Sequence, residues 1–413
     1  MTIRPAIATP EAPTTVENAD ITVVGGAGHV GIPLVLALAE AGLRVNVNDL
    51  NLETLNVLES GRLPFIEDGA AGVLAKALAA KRLVFTSTPE LVSTGGPVII
   101  TIGTPVDEFH NPVRKVVQDC IDWMLPALKD GQLLVLRSTI FPGTADWVDA
   151  YLKSKGRKLL VAFCPERVVQ GYGLKELKTM PQIVSGCTPE AERGAAELFE
   201  RIAPEVVLAS PIEAEFAKLF SNAYRYIEFA ATNEFYLVAK SAGVDYQRVL
   251  GAMKHNYPRL KSMPRPGFAA GPCLVKDTMQ LSAFARNQFG LGHAALLINE
   301  GLVLHMIDDL KRRFDLPKTT VGLLGMAFKA ESDDTRASLS YKFKNTLAGQ
   351  ARAVLTTDPF VTTDPELEQL DDVIAKSDVL VLCAPHSAYA KADFKGKPVF
   401  DIWGELKGAN VVR

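Results

Sequence analysis

One segment near the start of the chain constrains the fold more than any other. A buried-type run, Ile21-Thr22-Val23-Val24, ends at Gly25 and is followed by Gly26-Ala27-Gly28-His29-Val30-Gly31. An apolar helical pattern then runs from about Val30 to Ala41 and is closed by Gly42; a second strand pattern, Leu43 to Asn48, ends at Asp49. Strand, glycine turn, helix, strand and acidic residue in this order predict a βαβ unit whose turn faces a dinucleotide. Gly26 permits the tight turn, Gly28 lets the backbone approach a pyrophosphate, and Gly31 lets helix and strand pack closely. The helix N-terminus, entered through His29 and Val30, offers N–H groups and a partial positive charge to an anion. Asp49 is placed to accept hydrogen bonds from an adenosine ribose diol. Its charge opposes a 2′-phosphate and no Arg follows directly, so NAD is expected rather than NADP. The alternative is a glycine-rich turn with no ligand.

The rest of the chain extends this unit. Strand-like runs recur at Leu83–Thr86, Val98–Ile102, Leu133–Leu136, Leu160–Phe163 and Ile183–Ser185, with helical patterns between most of them. From Glu213 to Ala239 one long helix is predicted, apolar around most of its circumference and so expected to be mostly buried. A Pro/Gly-rich loop, Tyr257 to Pro272, separates it from a second helical block, Asp277 to Phe314. Alternation then returns with strands at Val321–Leu324, Ala353–Leu355, Val379–Leu382 and Val399–Asp401. The fold class is α/β: two Rossmann-like, doubly wound parallel-sheet domains joined by a central helical dimerisation region. The divisions fall at residues 1–19 (a loose arm rich in Ala, Thr, Pro and Glu), 20–211, 212–316 and 317–413. A length of 413 residues suits two or three domains.

Composition excludes several classes of function. Apolar residues make up 48% and charged residues 22%, which rules out a mostly disordered chain. The net charge is -3, from 44 basic and 47 acidic residues without a basic run, so neither nucleic acid nor membrane is the expected partner. The five cysteines, at 120, 164, 187, 273 and 383, are odd in number, widely spaced and form no C-x-x-C, so no disulfide framework and no metal site are expected. With no signal-like start, and with apolar stretches well short of the ~20 residues that cross a bilayer, the expected location is cytoplasmic.

Chemistry concentrates in a few places. Thr101-Ile102-Gly103-Thr104-Pro105 and Arg137-Ser138-Thr139 follow strands, where open α/β sheets bind ligands; ordinary turns are the alternative. Gly267-Phe268-Ala269-Ala270-Gly271-Pro272-Cys273-Leu274-Val275-Lys276-Asp277 sets a cysteine among small residues just before a helix, whose N-terminus stabilises a thiolate. Asp277 lies at i+4 from Cys273. Cys273 is thus either a nucleophile or a small apolar loop residue. Lys218 and Asn222 are i and i+4 on the long helix, with Arg225 nearby. They serve either a site or a structural hydrogen-bond pair. Glu166, in Cys164-Pro165-Glu166-Arg167, either enters the cleft, pairs with Arg167 or lies in a surface loop.

Taken together, GGAGHVG, TIGTP, RSTIFPGT, CPERVVQG, KLFSNAYRYIEFAATNE, GFAAGPCLVKD and GMAFKAESDDTRAS resemble the nucleotide-sugar 6-dehydrogenase family, which includes the UDP-glucose and UDP-N-acetylhexosamine dehydrogenases. The resemblance runs from about Ile21 to Asp401. It implies an NAD domain, a central dimerising region, at least a homodimer, and a C-terminal domain for the uridine diphosphate of a UDP-sugar. It also implies a four-electron oxidation in which Cys273 traps the aldehyde as a thiohemiacetal and then holds a thioester. Lys218 and Asn222 would stabilise the oxyanion; Asp277, Thr139 and Glu166 would position water and move protons. The cofactor residues would be Gly26, Gly28, His29, Val30, Gly31, Asp49, Thr104, Pro105, Ser138 and Thr139. Substrate would meet Glu166, Arg225, Phe268, Gly271, Lys329 and Arg336, with Arg259 reaching the partner subunit's site.

The sugar is less defined. Pro-Glu-Arg and Arg225 resemble the N-acetylhexosamine branch, whereas Lys276-Asp277-Thr278 and Gln280-Leu281 resemble the UDP-glucose branch. Many relatives have Gly-Gly before the cysteine, where this chain has Ala269, Ala270, Gly271 and Pro272. An N-acetylhexosamine substrate is the expectation and UDP-glucose the alternative. A 3-hydroxyacid-type dehydrogenase also pairs a Rossmann domain with Lys and Asn at i, i+4, but it needs neither Cys273 nor a second α/β domain. A catalytically silent nucleotide-binding regulator would require a broken constellation, and every position is filled.

Overall fold

A computed structural model describes residues 19–89, 95–107, 111–408 and 410–412. They divide into two compact units that meet in the chain at Lys218 and Leu219. The arm expected over 1–19 lies outside the described residues except for Ala19, which is buried.

The first unit holds an eight-stranded sheet of β1 Ile21–Val24, β2 Val45–Asn48, β3 Leu83–Thr86, β4 Val98–Ile100, β5 Leu133–Leu136, β6 Leu160–Phe163, β7 Gln182–Gly186 and β8 Val206–Leu208. Across the sheet the order is β3-β2-β1-β4-β5-β6-β7-β8. Seven helices accompany it: α1 Gly31–Glu40, α2 Leu52–Glu59, α3 Ala70–Ala79, α4 Arg114–Met124, α5 Thr144–Ser154, α6 Gly173–Leu177 and α7 Pro189–Phe199. The strands read as continuous apolar runs because both faces are covered. Leu133 and Val135 join one core with α1 and α7, whereas Leu134 and Leu136 join the other with Ile121 of α4 and Val148 of α5.

The sheet is mainly parallel, as expected, with one exception. β6 and β7 pair antiparallel, and β8 runs parallel to β7. A parallel return needs a crossover that covers a sheet face. The only helix between β6 and β7 is α6, which has five residues.

Helix α8, Pro211–Ser241, is one uninterrupted helix, and the division between the units falls inside it. Ala214, Leu219, Ala223, Tyr226, Ala230 and Tyr236 are buried at helical spacing, but Phe220, Tyr224, Phe235 and Val238 are exposed. The expectation of a mostly buried helix therefore holds for one side only, because a single chain covers only that side.

The second unit adds α9 Tyr246–Lys254, α10 Leu274–Phe284, α11 Gly290–Arg313, β9 Thr320–Leu324, α12 Leu339–Leu347, β10 Ala353–Thr357, α13 Leu370–Lys376, β11 Val379–Leu382, β12 Val399–Phe400 and β13 Val411–Val412. Its five strands, in the order β10-β9-β11-β12-β13, are all parallel. The single block expected from Asp277 to Phe314 is broken between α10 and α11, where Arg286 and Asn287 take φ of 54° and 59°. Contrary to expectation, α11 is long and apolar enough, by length and composition, to cross a bilayer. Its Leu302, Val303, Met306, Ile307 and Leu310 belong to the core that covers Val321, Leu323, Val379 and Val381, which accounts for that composition without a bilayer.

One buried carboxylate fastens α8 within the first unit. Glu215, 1% exposed, accepts the N–H groups of Gly143 (2.5 Å) and Ala145 (2.9 Å) at the start of α5. Burial pushes its carboxyl up to about 7, although the N–H groups of α5 oppose the shift. A folded pKa above the unfolded value means that the folded state binds the proton more tightly. The associated stability is complete below about 4.5 and is lost as pH rises through about 7. Denaturant midpoints measured from pH 5 to 8 should fall with pH, and Glu215→Gln should flatten that part of the slope.

Candidate active site

In the first unit the chain leaves β1 through Gly25, whose φ is +78°. The N–H groups of Gly25 and Gly26 are held by the Asn48 carbonyl at 2.8 and 3.2 Å. The three motif glycines are not equivalent. A Cβ on Gly31 would lie 2.4 Å from the Gly25 carbonyl oxygen, and one on Gly26 would lie 2.8 Å from that of Val23. A Cβ on Gly28 would meet nothing nearer than 3.5 Å. Packing therefore demands glycine at 26 and 31 but not at 28, where only a ligand coming close to the backbone would demand it.

Asp49 accepts the Ala27 N–H (3.1 Å) through Oδ2 and the Asn51 N–H (3.0 Å) through Oδ1, which ties the turn to the end of β2. His29 lies against the Phe65 ring, with centroids 3.9 Å apart, and its Nδ1 is 3.0 Å from Gln170 Nε2. Val30 is the half-buried residue before α1.

The loops after β1, β4 and β5 are bound together. Thr101 donates its hydroxyl to the carbonyls of Val24 and Gly25, both at 2.9 Å. Thr104 donates to the Thr139 carbonyl (2.5 Å) and Ser138 to that of Ile102 (2.5 Å), while Pro105 stays exposed. β1 and β4 are neighbours, so this cluster stands where strand order reverses, the position at which open α/β sheets bind dinucleotides. A helix N-terminus, a glycine with room beside it and a carboxylate at the next strand end suit NAD.

Glu166 is held by Arg137 and not by the Arg167 side chain of the alternative reading. The fully buried Arg137 donates Nη2–H to Glu166 Oε2, and Nη1–H to the Cys164 carbonyl (3.2 Å) and Gln182 Oε1 (3.0 Å). Glu166 Oε1 accepts the N–H groups of Arg167 (2.7 Å) and Val168 (2.9 Å). Arg167 turns its guanidinium to the Pro181 carbonyl. A lone Arg closing the apolar run Leu133–Leu136 was the available signal for this anchor.

In the second unit Cys273 is the residue immediately before α10 and is exposed. Its carbonyl accepts the Asp277 N–H at 2.9 Å, so the two residues span the first helical turn. Asp277 is fully buried; its Oδ2 accepts from Asn222 Nδ2 at 2.6 Å, and Lys276 Nζ stands 3.6 Å from Oδ1. Arg336 is clasped by Asp334, with Nη2 to Oδ2 at 2.7 Å. The Asp334 hydrogen bond, opposed by desolvation and aided by the Asp334 charge and by Cys273, raises the Arg336 pKa, so Arg336 lies in electrostatic reach of the thiol. Burial alone holds the Cys120 thiol up to about 12, and burial is the main reason that Cys164 and Cys187 also stand at about 12.

The other expected residues lie on several elements. Lys218 and Asn222 are both buried, one turn apart on α8, whereas Arg225 is exposed. Phe268 is buried against Phe343, with ring centroids 6.0 Å apart, and Lys329 is half-buried. The Gly271 N–H reaches the Ala337 carbonyl at 3.3 Å, and a Cβ there would strike the Phe328 ring. Arg259 is exposed and donates to the Tyr257 hydroxyl at 3.2 Å.

Three domain models of one family match in order. These are the NAD binding domain over residues 19–203, the central domain over 212–300 and the UDP binding domain over 322–407 of the UDP-glucose/GDP-mannose dehydrogenase family. The chain belongs to this family. Its cofactor is NAD, and its activity class is that of the NAD-dependent nucleotide-sugar dehydrogenases. The chain is 28% identical to the UDP-N-acetyl-D-mannosamine dehydrogenase of Pyrococcus horikoshii, over 90% of each chain. It is 27% identical to the NDP-N-acetyl-D-galactosaminuronic acid dehydrogenase of Ralstonia nicotianae, over 90% of this chain and 92% of the relative. Among solved structures, a UDP-glucose dehydrogenase from Pyrobaculum islandicum superposes with a TM-score of 0.88 at 25% identity, covering 97% of this chain and 98% of that one.

The unequal glycines of this dehydrogenase give a direct test. Gly31→Ala should lower the melting temperature by several degrees. Gly28→Ala should leave it within about 2 °C yet weaken NAD binding by roughly tenfold or more, as read by calorimetric titration.

Proposed function

We propose that this dehydrogenase oxidises the C6 primary alcohol of a UDP-N-acetylhexosamine to the uronate, using two NAD per sugar and a covalent intermediate on Cys273. The observation that carries the reading is Cys273 itself, an exposed thiol at the N-terminus of an eleven-residue helix, one turn before a buried carboxylate. A helix N-terminus favours thiolate over thiol.

When bound, NAD supplies the acceptor for one hydride in each of two oxidations. In the first, the C6 alcohol loses a hydride and a proton and becomes the aldehyde. The Cys273 thiolate then adds to the aldehyde carbon, forming a C–S bond, and protonation of the oxygen gives the thiohemiacetal. Loss of the second hydride and of the hydroxyl proton leaves the thioester. Water attacks, the C–S bond breaks, and the carboxylate departs as the thiolate is restored. In this assignment Lys218 and Asn222 stabilise the oxyanion by charge and hydrogen bond. Asp277, with Thr139 and Glu166, orients water and carries protons. Its hydrogen bond to Asn222 fixes the amide whose donor the oxyanion needs. Lys329 and Arg336 meet the sugar nucleotide, and the exposed Arg259 serves a partner subunit's site.

The choice of sugar is supported by the names of the relatives above, which act on N-acetylated sugars, and by Pro165-Glu166-Arg167 and Arg225. UDP-glucose is the second reading, favoured by the solved UDP-glucose dehydrogenase and by Lys276-Asp277-Thr278. A 3-hydroxyacid-type reaction leaves the UDP binding domain without a role. Cysteine usage favours a cytoplasmic setting. NADH absorbance followed against UDP-N-acetylmannosamine, UDP-N-acetylgalactosamine, UDP-N-acetylglucosamine and UDP-glucose should give two NADH per mole of one N-acetylated sugar. Cys273→Ser should abolish acid formation; retained turnover would end the thioester reading.

We also propose that the protein is at least a dimer. Phe220, Tyr224, Phe235 and Val238 of α8 and Leu297 and Leu304 of α11 are between 48% and 73% exposed. Apolar residues in such numbers on neighbouring positions of long helices mark an interface. Sedimentation velocity at micromolar concentration should show a dimer or larger, and Tyr224→Glu should shift it toward monomer.

A further inference from the structure

The loop that carries Cys273 is bonded to α8 at Pro264, whose carbonyl accepts from the Thr232 hydroxyl at 3.2 Å, and, nearer the thiol, at Gly267. Asn233 lies on α8 and is fully buried. Its Oδ1 accepts the Gly267 N–H at 2.8 Å, and its Nδ2 donates to the Gly267 carbonyl at 3.0 Å. One side-chain amide thus engages both polar groups of a single loop residue, as a neighbouring strand would. The orientation of that amide is also fixed. Asn299 of α11, likewise fully buried, accepts a second hydrogen from Asn233 Nδ2 at 2.9 Å and donates its own Nδ2–H to the Tyr226 carbonyl at 3.0 Å. A flipped Asn233 would present N–H to N–H at Gly267 and carbonyl to carbonyl at both Gly267 and Asn299.

The stretch from Gly267 to Cys273 has little freedom to absorb an error. A Cβ at Gly267 would sit 2.2 Å from the Trp403 ring, and one at Gly271 would sit 2.7 Å from the Phe328 ring. Phe268 is buried, and the Gly271 N–H is bonded to Ala337. The path from Gly267 to the sulfur is thus packed or bonded at 267, 268 and 271.

Resting on the reading of Cys273 as nucleophile, we propose that Asn233, oriented by Asn299, is a positioning residue that sets where the Cys273 sulfur stands relative to Asp277 and Asn222. It touches no reacting atom. Reacting groups displaced by about 1 Å lose ~100-fold in rate, so an effect on kcat is expected with little effect on cofactor affinity.

The test compares Asn233→Ala, Asn233→Asp and Asn299→Ala with the parent enzyme and with Cys273→Ser. Four quantities are measured: kcat, KM for NAD, NADH per mole of the sugar nucleotide that the parent oxidises, and the rate at which iodoacetamide alkylates residue 273, followed by peptide mass spectrometry. Asn233→Ala should lower kcat by ~10–100-fold with KM for NAD within about twofold, and should change the alkylation rate. Asn233→Asp keeps the acceptor for the Gly267 N–H but sets a second carboxylate oxygen against the Gly267 carbonyl and Asn299 Oδ1, and should lose at least as much as Asn233→Ala. Asn299→Ala leaves both contacts to Gly267 in place and removes the acceptor that orients the amide, together with the donor to the Tyr226 carbonyl. It should give a smaller loss of the same kind, and it keeps the test usable if Asn233→Ala fails to fold. Parent-like kcat and alkylation in folded Asn233→Ala or Asn299→Ala, beside an inactive Cys273→Ser, would overturn the positioning role alone. An active Cys273→Ser would overturn the nucleophile reading instead.

Discussion

Both sheets depend on a carboxylate at the end of one strand that accepts the backbone N–H groups of the turn after the neighbouring strand. In the first unit Asp49, after β2, holds Ala27 in the turn after β1. In the second unit Asp358, after β10, holds Met326 (2.6 Å) and Ala327 (2.9 Å) in the turn after β9. Burial would raise the Asp358 carboxyl, but His386 and the backbone N–H groups bring it down to about 2. His386 spans this carboxylate and the Glu331 N–H, at 3.1 and 3.0 Å, and so ties down the segment that carries Lys329. A turn at the carboxyl edge of a parallel sheet leaves donors aimed outward, and an anionic side chain that takes some of them fixes the direction of the rest.

Helix α8 is the second organising element. Its first turns carry Glu215 and Lys218, its middle carries Asn222, and its later turns carry Asn233. Each is a buried polar residue, and three of them have named partners: the start of α5 for Glu215, Asp277 for Asn222 and Gly267 for Asn233. A rigid helix keeps such residues in fixed axial order.

Much of this was legible in the residues. The glycine turn, the strand runs and the cysteine loop each announce themselves by local pattern, and the two sheets follow from alternation. What escaped prediction depends on contacts between residues far apart in sequence. The reversal at β7 follows from a connection without a crossover helix, which strand propensity does not encode. The partner of Glu166 is Arg137, from another strand end, because that guanidinium is buried beneath it. The break between α10 and α11 falls at residues 285–289, which hold no glycine or proline; Asn287 and, just beyond, Gly290 were the local hints. Asn233 and Asn299 read in sequence as polar interruptions, and their roles emerge only when Gly267 is brought between them.

The aromatic rings behind the two loop glycines have a consequence for redesign. Trp403 and Phe328 act as a mould: they shape the loop that carries the thiol from its rear side. Trimming either ring would open space for larger residues at 267 or 271 and give the loop alternative paths. The position of the thiol is thus open to retuning by remodelling what lies behind the loop while Cys273, Asp277 and Asn222 keep their identity.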